Sequence, residues 1–96
     1  MSFCRAKEVI SKKSFYLIEF TKENADIAIS NIPINERTSK AIRKSEKFKV
    51  YLKNVNQLQI IYYANFKTGK FNVTPIEMYY YILNVLSHGI KIIKLL

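Results

Sequence analysis

The segment from Thr74 to Gly89 constrains the fold more than any other, because a helix start, a helix face and a helix end can all be read in it. Thr74 has the hydroxyl that an N-cap uses, Pro75 follows where a missing N–H costs nothing, and Glu77 stands three residues after the cap, in reach of the Thr74 amide. At the far end His88 lies in the last turn, where the carbonyl dipole favours positive charge, and Gly89 suits the left-handed residue that stops a helix. The spacing therefore predicts a helix over 75–88, roughly 21 Å long at 1.5 Å per residue.

The faces of this helix say more than its ends. At 100° per residue, Val85, Met78, Ile82, Leu86, Tyr79, Leu83, Ile76 and Tyr80 fill an arc of roughly 220°, leaving Asn84, Glu77, His88 and Tyr81 on a polar stripe of about 60°. A surface helix needs about half of that apolar arc. The excess predicts either a helix laid across a sheet with a second contact on its flank, or half of an oligomer interface formed by Met78, Ile82, Val85 and Leu86.

Upstream, hydrophobic period divides the chain. Residues 1–11 admit two readings, a short helix with Phe3, Ala6 and Ile10 along one side, which is the expected one, or an edge strand beginning at Glu8 to Ile10; Ser14 to Thr21 reads as a strand with apolar residues on both faces. After the polar turn 22–24, Ala25 to Ser30 reads as a second strand with Ile27 and Ile29 inward, ended by Ile32-Pro33-Ile34. Asn35 caps a helix over about 36–47, with Arg37, Lys40, Lys44 and Lys47 on a basic stripe and Thr38, Ala41, Ile42 and Ser45 as a modest inner face. From Phe48 the period becomes two: Phe48, Val50 and Leu52 point one way, and Lys49, Tyr51 and Lys53 the other. A turn at 54–57 leads to a long strand over 58–66, which has Leu58, Ile60, Tyr62, Ala64 and Phe66 on one face. A tight turn at Lys67–Lys70 then returns the chain as a short strand over 71–73. After Gly89, residues 90–95 read as a last strand or a continuation of the helix, and the glycine and β-branched content favour the strand.

This order gives an α+β fold, a mostly antiparallel sheet of five to six strands packed by two helices at about 36–47 and 75–88, in a single domain over 1–96. Its middle portion, helix, three strands and helix over roughly 55 residues, resembles the topology of a double-stranded RNA-binding domain. That family carries a lysine cluster at the start of its second helix, and Pro75 to Met78 contains no basic residue.

Composition removes several function classes. Ninety-six residues with 49% hydrophobic and 14% aromatic content suit one globular domain, and two Gly and two Pro leave little for linkers. The single cysteine, Cys4, forms no internal disulfide, and no Cys/His metal set is possible, so neither metal nor cofactor is expected. With no apolar run long enough to serve as a signal or to span a membrane, the expected location is intracellular and cytoplasmic, without a membrane partner. Asn72-Val73-Thr74 matches a glycosylation sequon but reads as the lead-in to the capped helix. Gly69-Lys70 lacks the upstream glycine and the following hydroxyl of a phosphate-binding loop. His88 and Glu77 share a stripe of the C-terminal helix, but a separation of eleven positions means about 16 Å along its axis, too far to act as a pair. No catalytic residue is assigned.

What remains is charge. The formal net charge is +9, and Met1 to Glu36 contributes none of it, carrying five basic and five acidic residues. Arg37 to Lys53 holds seven basic residues against Glu46 alone. Thirteen lysines against three arginines is what an AT-rich coding sequence writes, which raises lysine everywhere and does not account for clustering. Arg37, Lys40, Arg43, Lys44, Lys47, Lys49 and Lys53, with Tyr51 between lysines as a stacking ring, are therefore the candidate nucleic-acid contacts, to DNA or RNA, through phosphates with little sequence preference. Tyr51 and Tyr63 lie on the sheet face opposite the main apolar set, so their role turns on whether that face is covered. The alternative is a protein-interaction module, a homodimer, adaptor or small inhibitor for an acidic partner, docking through the C-terminal helix. A small nuclease is the least supported reading, for want of paired catalytic groups.

Overall fold

Apolar residues at every second position give the sheet one face for burial, and the helices settle on it. The computed structural model describes residues 16–54 and 56–95; the helix expected over 1–11, with Cys4, lies outside them. The strands are β1 (Tyr16–Thr21), β2 (Lys47–Asn54), β3 (Gln57–Ile61), β4 (Thr68–Asn72) and β5 (Ile93–Lys94). They form one sheet in the order β4-β3-β2-β1-β5, and every pairing is antiparallel. Three helices accompany it among the described residues, α1 (Ala25–Ala28), α2 (Glu36–Arg43) and α3 (Pro75–Ser87). The protein is thus an α+β fold.

Register builds the core row by row. Tyr16, Leu52 and Leu58 align across three strands, as do Ile18, Val50 and Ile60, and none of the six is more than 1% exposed. A third row pairs Phe20 with Phe48, whose rings stack with centroids 5.4 Å apart. Burying each such side chain contributes about 1.5–3 kcal/mol.

Helix α3 joins this core through Met78, Tyr81, Ile82 and Val85, at the spacing of a single helical stripe. Met78, Ile82 and Val85, expected to be available to a partner, are fully buried within the single chain, and Leu86 is half-buried; none of the first three offers surface to a second molecule. The other half of the wide apolar arc stays in solvent, with Ile76 at 69% and Tyr80 at 59% exposure and Leu83 just exposed beside them.

Tyr81 corrects the polar stripe. It is 2% exposed, and its hydroxyl donates to the Ala28 carbonyl at 2.6 Å. One turn on, the Asn84 amide donates to Ser30 Oγ at 3.1 Å. Tyr81 and Asn84 of the stripe therefore face α1 and the loop after it, while Glu77 and His88 stay exposed. Burial pushes the Tyr81 phenol far above its ordinary range, which keeps it a donor.

The segment 25–30, expected as a strand, instead carries α1, which follows directly on the 3-10 turn Lys22–Asn24, with Ala25 and Ala28 buried three residues apart. Alternation of Ile27 and Ile29 fits a strand equally well, and only the packing of two small alanines beneath α3 separates the readings. Helix α2 starts where expected, with Asn35 Oδ1 accepting from the Thr38 N–H at 2.8 Å, but it stops at Arg43 rather than near Lys47. Ser45 is the reason. Its buried hydroxyl donates to the Tyr62 carbonyl, and the Glu46 carbonyl accepts from the Lys22 N–H at 3.0 Å, so the chain is tied to β1 and to the end of β3 before another turn can form.

Beyond Ile61 the long strand expected over 58–66 ends, and residues 62–67 form the hairpin loop; β4 begins at Thr68. Gly69, expected in a turn, lies in β4 opposite Ile60, where the Phe71 ring covers it; an added Cβ would meet that ring at 2.8 Å. Gly89 does end α3, at φ 74°, and the last strand is the two-residue β5.

The cap of α3 is as predicted, with Glu77 N–H donating to Thr74 Oγ1 at 3.1 Å and Thr74 N–H to Glu77 Oε1 at 2.9 Å. These bonds, the backbone one first, hold the Glu77 carboxyl below its ordinary value of 4.5. Because the folded value is the lower one, this stabilisation is present above that pH and is lost as acid protonates Glu77. Thr74→Ala is expected to cost about 1 kcal/mol in urea titrations at about pH 7, and to cost less at about pH 3.

Candidate nucleic-acid interface

The described helices pack on one face of the sheet, and side-chain alternation puts charge on the other, where Leu17 is buried while Lys47 and Lys49 are exposed. In β2 Phe48, Val50 and Leu52 are buried beneath the helices, whereas Lys47 and Lys49 are exposed on the opposite face, with Tyr51 and Lys53 half-buried beside them. Alternate residues of one strand are about 6.6 Å apart, so Lys47, Lys49 and Tyr51 form an evenly spaced comb, and Lys53 follows at the irregularity in the β2–β3 register between Leu52 and Asn54. Across the sheet, Leu17, Tyr51, Gln59 and Lys70 share a row, and β4 thereby adds a lysine to this face.

At the end of the sheet where β1 and β3 finish and β2 and β4 begin, the face deepens into a groove of about 770 Å³. Lys44, Lys47 and Lys49 line one part of it, and Tyr51, Tyr63 and Phe66 another. Tyr63 is half-buried with its ring centroid 5.2 Å from that of Tyr62, while Phe66 is 77% exposed. Glu19 and Glu46 also line the groove, and Glu19 stands opposite Lys49 in the β1–β2 register.

The cations expected to act together divide into two groups. On α2, Lys40 pairs with Glu36 at 3.4 Å and Arg43 pairs with Asp26 of α1, so both are partly neutralised on the helix side of the molecule; Arg37 is exposed on the same helix. Lys44, Lys47, Lys49 and Lys53 lie at or on the sheet face opposite the helices and make no ion pair among the described residues. Early termination of α2 causes the division, because it moves Lys47 from the helical stripe to the strand.

Two members of this surface are absent from the sequence-derived set. Lys70 is readable once β4 is known to start at Thr68, since it then alternates with Gly69 and Phe71. Phe66 reads as a core residue by period two, and its position follows only from the loop that replaces the strand end.

Other chemistries find little support in the geometry. His88 Nδ1 lies 2.8 Å from the Asn84 carbonyl, a bond within its own helix end. Among the described residues no three His, Cys, Asp or Glu side chains are grouped to hold a metal ion, and no helix is long and apolar enough to cross a membrane. Comparison of the chain with protein-family models, with curated proteins and with solved structures finds no match.

Proposed function

We propose that this protein binds nucleic acid through the phosphate backbone, on the face of its sheet opposite the helices, with little sequence preference. The observation that carries the reading is the β2 comb, in which Lys47, Lys49 and Tyr51 alternate with the buried core and Lys53 follows. Like charges at alternate positions of one strand repel, with Glu19 opposite Lys49 as the acidic neighbour across the strands; a polyanion along that face removes the repulsion and releases its own counterions. Tyr51 adds a ring surface between charges, as non-specific binders use.

The salt dependence of binding tests this. If Lys44, Lys47, Lys49, Lys53 and Lys70 all meet phosphates, the log–log slope of affinity against salt is about −4.5 on duplex DNA and about −3.5 on single strands. Fluorescence anisotropy across a salt series reads the slope. Absence of binding to DNA and RNA at low salt, where counterion release contributes most, ends the reading.

A further inference from the structure

Phe66 is costly to this fold twice over. Its backbone is left-handed at φ 61°, a region in which a bulky side chain is strained and which hairpin loops normally fill with glycine or asparagine. Its ring is also 77% exposed, so it returns no burial to the core. The conformation is nevertheless fixed at both ends of the loop, where Phe66 N–H donates to the Tyr63 carbonyl at 2.8 Å and Tyr62 N–H donates to the Lys67 carbonyl at 3.0 Å. A strained residue held firmly, with an aromatic ring displayed in solvent, points to use of that ring.

The setting states the use. The ring stands at the groove that Lys44, Lys47 and Lys49 share with Tyr51 and Tyr63. Glu19 and Glu46 line the same groove without an ion pair to these lysines, so the lysines stay available to phosphates and the rings add a second mode of binding. Stacked bases of a duplex hide their faces, whereas an unpaired base can lie on an exposed ring while its phosphates reach the adjoining lysines.

We propose that the groove selects single-stranded nucleic acid, with Phe66 as the platform on which one unpaired base stacks and Tyr51 and Tyr63 as the ring surface continuing it. This rests on the phosphate-binding reading above and narrows it to a substrate class. The 62–67 loop presents the platform.

Phe66→Asn tests it, because asparagine tolerates the left-handed backbone and removes the ring. Anisotropy is measured on labelled oligothymidine and oligouridine of about 12 nucleotides and on a duplex of the same length, and thermal melting on the free protein. The native chain is expected to bind at least one of the single strands more tightly than the duplex. The variant is expected to lose about 5- to 150-fold in affinity for that strand, keep its duplex affinity and melt at a higher temperature. Single-strand affinity unchanged in the variant, or a native chain that binds duplex at least as tightly as both single strands, overturns the proposal while leaving phosphate binding standing. Failure of all three probes at low salt overturns both.

Discussion

Tyr81→Ala is expected to lower stability by about 3–5 kcal/mol, a large part of the 5–15 kcal/mol that holds a typical domain together. The side chain is 2% exposed and packs with Met78, Ile82 and Val85 in the core, so truncation leaves a cavity where the helix, the sheet and α1 meet. It also strands the Ala28 carbonyl, which accepts the Tyr81 hydroxyl at 2.6 Å. Tyr81→Phe separates the two contributions, since it keeps the ring and removes the hydrogen bond, for about 1 kcal/mol. Urea titration measures both, with an unchanged slope showing that the unfolded states are comparable. A Tyr81→Ala midpoint close to the native one would place the ring outside the core and break the link between α1 and α3.

The second large effect concerns binding. Replacing Lys47 and Lys49 together by glutamine removes two phosphate contacts, which reduces the steepness of the salt slope by about 1.4 on single strands and 1.8 on duplex DNA. At about 0.1 M salt this amounts to roughly 25- to 60-fold in affinity. Both side chains are exposed and unpaired among the described residues, so the fold should tolerate the change. The matched control is Lys40→Gln with Arg43→Gln, which removes the same charge from α2, where Glu36 and Asp26 already pair with these residues. Its effect is expected to stay within a few-fold, the exposed pairs contributing little to stability. Equal losses in the two double variants would mean that net charge, and not the sheet face, governs binding.

These variants separate two ways in which a sequence encodes a surface. Lysines on alternate positions of β2 follow from period two and the buried partners between them, and are readable without coordinates. The grouping with α2 is not, because it depends on where the helix stops. Helical spacing of Lys40, Lys44 and Lys47 is genuine, yet Ser45 finds the Tyr62 carbonyl, seventeen residues away, and the chain leaves the helix to reach it. A long-range hydrogen bond overrides a local pattern.

By itself the sequence determined the elements whose ends are set by neighbours in the chain: the Thr74–Glu77 capping box, the Asn35 cap, the glycine stop at Gly89 and the two faces of β1 and β2. Their physics lies within one turn or one strand repeat. Only the tertiary structure decided what depended on contacts between distant segments. It made residues 25–28 a helix, with Ala25 and Ala28 buried; it turned Tyr81 and Asn84 inward, because Ala28 and Ser30 offered the partners; and it set Phe66 in solvent, because the hairpin closes at Tyr62 and Lys67 instead of continuing the strand. Alternation names two faces, and which one meets water is settled by where the helices pack.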